Sequence, residues 1–315
     1  MTITSCMTSL LRLFIRSVGL LLVLGAAGAE APRFRVATYN VENYLDQAIG
    51  TRPAKSAEAK AKIREGLRAL NADVVALQEM GATNAFLELR ASLQAEGLDY
   101  PHWEHVTGFD TNIHVAVLSK FPITARRPHT NDSYLLLGRR FWVSRGFAEV
   151  DIKVSGNYSF TLMTAHLKSR RAVPEADEAD MREQEGIILR ERIDAFLTAR
   201  PNGNLVVLGD LNDVRDSKST RAVLGRGKFA LVDTRPAERN GDNQPNTNPR
   251  WDPRNITWTH HFGKEDTYSR IDYILISPGL AREWNKEATQ ILTLANWGVG
   301  SDHRPIVAGF FAEDR

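Results

Sequence analysis

Val206–Leu208 is apolar enough to belong inside a sheet, yet it runs without a break into Gly-Asp-Leu-Asn-Asp at 209–213. A buried strand gains nothing in packing by ending in two carboxylates and an amide. The design recurs along the chain. "YNVEN" ends a strand-like run with Asn40 and Glu42, "LQEM" with Glu79, and "TAHLKS" with His166 and Lys168. "SRIDY" carries Arg270 and Asp272, and "SDHRP" places Asp302 and His303 before "IVAGFF". Apolar strand cores with polar ends call for a fold that lays strands side by side and gathers their ends at one rim.

The rest of the pattern supplies that fold. Period-two alternation predicts a strand over Arg33–Asn40, and "ADVVALQEM" reads as a buried strand running into Glu79. Ile63, Leu67 and Leu70 recur at helical spacing after Pro53, and a second helix is expected from Thr83 to Ala95. Further strands are expected in "YPHWEHV", "NIHVAVLS", "GFAEVDIKV", "YSFTLMTAHL", "NLVVLGDLN", "SRIDYILIS" and "RPIVAGFF". A charged helix of about 25 residues between the strands ending at Leu167 and Leu208 carries the apolar stripe Ile187, Leu189, Ile193, Phe196 and Leu197, as for packing on a sheet. Residues 234–256, rich in Pro, Asn and Arg, read as a surface loop. With no repeat and no shift of composition, the chain is expected to form one layered α/β domain over 30–315.

The first thirty residues differ from the rest. Arg12 and Arg16 precede the apolar stretch Ser17–Ala29, which ends in small residues, and this reads as a signal peptide (1–29) cleaved after Ala29. The stretch is shorter than the roughly 18 residues that a membrane-spanning helix needs. A secreted or periplasmic protein is therefore expected. The only cysteine, Cys6, leaves with the signal, so the mature chain forms no disulfide. The whole chain has a formal charge of +2, and loss of the two arginines leaves bases and acids in balance. Attraction to a polyanion must then be local rather than global.

The strand-end groups are the parts of a hard-cation phosphoryl site. Oxygens of Asn40, Glu79 and Asp302 suit Mg²⁺ or Mn²⁺, with Ca²⁺ as a further alternative, and thiolates are absent. Asp210 and Asn212 are candidates to orient and deprotonate water, with the imidazoles His166 and His303 moving protons or stabilising charge. "GRRFWVSRG" sets Arg140 and Arg145 around two aromatic residues. With Lys168 and Arg170 these are candidate phosphate contacts, although a solvated strand edge explains the segment equally well.

In this order, "TYNVEN", "LQE", "AHLKS", "GDLND", "RIDYIL" and "SDHRPI", spanning Thr38–Ile306, resemble the endonuclease/exonuclease/phosphatase superfamily and, within it, its bacterial extracellular nuclease-like members. The resemblance implies a deoxyribonuclease I-like four-layer α/β sandwich, two facing mixed sheets flanked by helices. It also implies metal-dependent hydrolysis of phosphoric esters. Carried over by position, Glu79, Asn40 and Asp302 are metal ligands, and Glu42 stands where relatives hold a second-metal aspartate. Asp210 and Asn212 match the pair that orients water and the scissile phosphate. His166 assists the leaving group or grips phosphate, His303 contacts phosphate or acts as base, and Asp272 holds His303. A nuclease acting on nucleic acid is the first expectation. A sphingomyelinase-like enzyme or other phosphoesterase, acting on phospholipid or a small phosphoester, is the alternative. A catalytically inactive binding protein is the remote one, and no obligate protein partner is indicated.

Overall fold

The computed structural model describes residues 32–239 and 256–314. The expected signal peptide and residues 240–255 of the expected loop lie outside the described residues. In chain order the first half contributes β1 (Arg33–Tyr44), α1 (Ala57–Leu70), β2 (Val74–Met80), α2 (Thr83–Ala95), β3 (His102–Val106), β4 (His114–Ser119), β5 (Ile123–His129), β6 (Ser133–Leu136), β7 (Arg139–Trp142) and β8 (Phe147–Lys153). The second half contributes β9 (Ser159–His166), α3 (Glu178–Ala199), β10 (Leu205–Asp210), α4 (Lys218–Leu224) and β11 (Val232–Asp233). It ends with β12 (His260–Phe262), β13 (Thr267–Ser269), β14 (Asp272–Ile276), β15 (Trp284–Ile291) and β16 (Ile306–Phe311).

Two six-stranded sheets result, ordered β15-β16-β1-β2-β4-β3 and β11-β14-β10-β9-β8-β5. Each has one parallel pair at its centre, β1 with β2 and β9 with β10, and antiparallel neighbours outward. Two hairpins, β6–β7 and β12–β13, stand apart from the sheets.

Packing follows from the pleat. In β1, β2, β9, β10 and β14, alternate residues such as Val36, Val74, Leu162, Val206 and Ile274 fill one core shared by the two sheets. The intervening residues face helices. Ala37, Val75 and Leu77 meet Ile63, Leu67, Phe86 and Leu89 of α1 and α2. Met163, Val207 and Leu275 meet Leu189, Ile193 and Leu197 of α3. The architecture is a four-layer α/β sandwich, as the sequence led us to expect.

The helices begin where their side chains supply caps. Ser56 accepts from Ala59 N, so α1 starts four residues after Pro53, and Asp177 accepts from Ala179 N and Asp180 N to start α3. The buried stripe of α3 includes Ile188, with Ile187 only half-buried, and extends to Arg182 and Glu185. Those two charges are buried because they are paired. Arg182 reaches Asp213 Oδ2 at 3.0 Å and Lys168 O at 3.2 Å, while Glu185 accepts from Ser144 N, Ser144 Oγ and Lys168 N. They bind α3 to the loops that follow β7 and β9.

Candidate active site

Side-chain phase explains why the strand ends converge. Val206 and Leu208 point between the sheets, so Asp210 does too, and the same count carries Phe160 and Leu162 on to His166 and Ile274 back to Asp272. Register then sets the three side by side, because Asp210 pairs with His166 on β9 and with Asp272 on β14. From the opposite sheet, Phe34 and Val36 lead in the same way to Asn40. Just below this rim a polar bridge replaces the apolar core. Thr38 Oγ1 donates to Gln78 Oε1 at 3.0 Å, and Gln78 Nε2 donates to Thr164 Oγ1 at 3.2 Å.

Glu79 breaks the phase. It follows the inward-facing Gln78 and would point at the helices, but its φ of 59° turns it back to the rim. Glu42 (φ 42°), Asn43 (φ 51°) and Asn212 (φ 55°) share this left-handed conformation, and the β1–β2 and β2–β4 registers slip at the same places. Such backbone costs about 1–3 kcal/mol per residue and persists where the surroundings over-determine it. Here Asn43 N donates to Glu79 Oε2 at 3.0 Å, and Asn212 N donates to Asp210 Oδ1 at 2.7 Å.

At the centre, Asn40 Nδ2 donates to Asp210 Oδ2 at 2.9 Å and lies 3.4 Å from Glu79 Oε1, while its oxygen accepts from Glu42 N. Two imidazoles flank Asp210: His166 Nε2 is 3.5 Å and His303 Nε2 is 3.7 Å from Oδ2. His303 Nδ1 is held by Asp272 Oδ2 at 2.8 Å. Burial alone would depress both imidazoles. It does so for His166, helped by Arg145 and His303, and holds it neutral. For His303 the carboxylates of Asp272 and Asp210 outweigh burial and raise its pKa well above the ordinary range. Burial together with Asp272 raises Asp210 against the pull of His303. His303 is therefore the cationic member of the cluster.

The structure brings together Asn40, Glu42, Glu79, His166, Asp210, Asn212, Asp272, Asp302 and His303, all drawn from the sequence pattern. The four cations fare differently. Buried Arg145 donates to Leu167 O at 3.3 Å, next to His166, with its Nε 3.7 Å from Asp110 Oδ2. Arg170 donates to Asn212 O at 3.1 Å and lines a cleft of about 600 Å³ together with Arg171, Asn212, His260, Phe262 and Asp302. Lys168 spends its ammonium on Ser169 O and Arg171 O. Arg140 lies on the exposed β6–β7 hairpin and donates to Ser133 Oγ. Arg270 is committed to Asp233, at 3.0 and 2.6 Å.

Three participants were missed. Lys55 places a nearly buried ammonium against Glu42 O, with Glu79 and Asp302 as further charge partners. Ser301 Oγ donates to Asn40 O at 2.8 Å and accepts from His303 N at 3.0 Å, tying the His303 segment to β1. His260 lies 3.5 Å from Asp302. Only Ser301, inside the quoted "SDHRP" segment, had any signal in the sequence.

The donor set fits a hard divalent cation. Glu42 is raised by burial and by Asp302 and Glu79, with Lys55 opposing, so three carboxylates crowd around one ammonium and leave uncompensated negative charge. Glu79 and Asp302 face the open side, and Asp272 Oδ1 is buried without a partner. Glu79 and Asp302 would hold the ion, with Glu42 beside it and Asn40 fixing the carboxylates around it.

Residues 37–303 match the model of the Endonuclease/Exonuclease/phosphatase family. No curated protein matches the chain. Truncated TDP2 of Caenorhabditis elegans is similar at 18% identity over 89% of this chain and 98% of that one, with a TM-score of 0.59. The human Nocturnin catalytic domain with bound sulfate gives 17%, 89%, 94% and 0.60. Sphingomyelinase C from Streptomyces griseocarneus gives 22%, 89%, 100% and 0.53. At these identities the likeness is one of fold.

Proposed function

The chain belongs to the endonuclease/exonuclease/phosphatase family of metal-dependent hydrolases of phosphoric esters, and from that premise we propose that it is a secreted or periplasmic nuclease. The observation that carries hydrolysis is the convergence of Glu79, Asp210, Asp272, Asp302 and two imidazoles at one rim. Mg²⁺ or Mn²⁺ is the proposed cofactor, and when bound it polarises the phosphate and stabilises the developing charge. The signal-like segment 1–29 is the reason for placing the mature protein outside the cytoplasm.

Asp210 is fixed from both sides, with Asn212 N on Oδ1 and Asn40 Nδ2 on Oδ2, and serves as acceptor of the proton from the attacking water. His303, kept cationic and aimed by Asp272, binds a phosphate oxygen and supplies a proton as the leaving alcohol departs. His166, neutral and buried, contributes a hydrogen bond without adding charge. The products are a phosphomonoester and an alcohol.

Nucleic acid is favoured by a surface at the same rim. Exposed Phe109 and Trp142 stack with centroids 5.2 Å apart and planes 7° apart, beside exposed Arg139 and Arg140. The pair is tied to the site because Asp110 N donates to Ser144 O, and Arg145 reaches Leu167 O beside His166. Flat aromatic faces next to guanidinium groups suit bases and backbone phosphates. The test is hydrolysis of bis-p-nitrophenyl phosphate with and without EDTA, then a panel of plasmid DNA, RNA, sphingomyelin and inositol phosphates. EDTA-sensitive turnover and cleavage of nucleic acid are expected. Turnover confined to sphingomyelin would overturn the substrate assignment. A rate identical in the Asp210→Ala variant would overturn the site.

A further inference from the structure

His260 belongs to no part of this mechanism, yet the backbone delivers it to the site. His261 N donates to Asp302 O at 3.0 Å and Arg304 N to Thr259 O at 2.7 Å, so the start of the β12–β13 hairpin pairs with the Asp302–Arg304 segment. Thr259 is anchored in turn, its Oγ1 accepting from Ile271 N and Asp272 N. The rings of His260 and His303 lie 4.6 Å apart. Asp302 sits between their Nε2 atoms, with Oδ2 3.5 Å from His260 and Oδ1 3.8 Å from His303.

Two imidazole nitrogens and an oxygen of Asp302, all within 4.8 Å of one another, form a second donor set, which shares the Asp302 carboxylate with the hard-cation site and differs from it in its nitrogens. Nitrogen donors favour zinc and its first-row neighbours over Mg²⁺. Bonds of about 2.0–2.2 Å reach donor atoms separated by up to about 4 Å, which covers both of the observed separations. Asp272 holds the other nitrogen of His303, as an outer carboxylate does for a metal-bound imidazole. Asp302 and His260 both line the 600 Å³ cleft, which leaves room for water to complete the coordination.

We propose that His260, Asp302 and His303 form a binding site for a zinc-class ion, which displaces the proton on His303 Nε2 to solvent, and that its occupation withdraws His303 from phosphodiester hydrolysis. The inhibitory half rests on the role given above to His303, and the binding half does not.

The binding experiment titrates Zn²⁺ into Mg²⁺-saturated protein against a chromophoric chelator, using wild type, His260→Asn and, as a control on the same hairpin, His261→Asn. His260→Asn is expected to weaken zinc binding at least about tenfold, the scale on which metal-site changes act, with His261→Asn at the wild-type value. Equal zinc affinity in wild type and His260→Asn overturns the site, as does equal weakening in both variants, which would indicate a disturbed hairpin. A second arm measures zinc inhibition of Mg²⁺-supported bis-p-nitrophenyl phosphate hydrolysis. The half-inhibiting concentration should rise in His260→Asn by the factor seen in binding. Zinc held through His260 without inhibition overturns the inhibitory half. An absence of hydrolysis in every sample counts against the proposed function and leaves the binding result to decide the site.

Discussion

His303 shows how one residue's state is set by its neighbours. Alone in a buried position it would be neutral, like His166 across Asp210; with Asp272 at 2.8 Å it is a cation. Replacing His303 by Ala should lower kcat at least about a hundredfold, the scale of acid–base and charge-stabilising groups. A twofold or threefold loss in steady-state kinetics would make it a structural residue. Arg304 beside it has the opposite character. It is buried over the Trp258 ring at 3.3 Å, bonded to Glu238 and to Trp258 O, and holds a loop rather than substrate. Adjacent letters of "SDHRP" thus do unrelated work, and only the tertiary neighbours separate them.

At the scale of elements, the central strands and the edge strand β3 were legible, and the edges β5, β11 and β15 were not. Strands buried on both faces carry long apolar runs, and β2, β4, β8, β9, β10, β14 and β16 fall where those runs lie. β5 ("ITARRPH") and β15 ("WNKEATQI") are sheet edges, where polar residues and a proline are tolerated and no apolar signal is needed. What holds β5 is charge. Arg127 bridges Glu149 of β8 at 2.5 Å and Asp151 at 3.0 Å, and His129 reaches Glu149 at 2.8 Å. Burial would raise both carboxyls, but hydrogen bonds from His129 and Arg127 to Glu149, and from Arg127 and Thr161 to Asp151, lower them below the ordinary range. Groups depressed in the folded state stabilise it above the unfolded carboxylate pKa, and that stability is lost as pH falls through the folded values. Arg127→Ala should therefore cost about 1 kcal/mol at neutral pH, discounted for its partial exposure. The deficit should shrink below about pH 4. Urea unfolding across that range checks it, and a pH-independent deficit would mean that only packing was lost.

Gly209 is the other constraint at this scale. With φ at 132° and a built Cβ falling 2.0 Å from Ala165 O, it is what lets β10 lie against β9 as Asp210 comes level with His166. Gly209→Ala should destabilise the fold by about 2 kcal/mol or more and lower activity in the fraction that folds. Chemical denaturation with wild-type stability would show that the strands can shift without cost.

For the whole molecule, the site lies across the seam between the two sheets, with Asn40 and Glu79 from one and His166, Asp210 and Asp272 from the other. An ion held there joins both halves of the sandwich, so binding and folding are linked. Mg²⁺ at a hundredfold its Kd should stabilise the protein by about 2.7 kcal/mol and raise Tm. EDTA should reverse the shift. Melting curves insensitive to both would place the ion elsewhere or remove it from the account.

The sequence by itself determined the layered α/β architecture, the places of the interior strands along the chain and the chemistry of their ends, because burial periodicity and unusual polar termini are local properties. Tertiary structure decided which of those ends act together. Glu79 reaches the rim only through a left-handed turn that strand periodicity argues against, and Lys55 and His260 arrive from segments with no chemical signature of their own. The charge state of His303, and the commitment of Arg304 to the half-buried carboxylate of Glu238, depend on distances between residues far apart in the chain. Electrostatic coupling acts through space, and sequence order does not encode it.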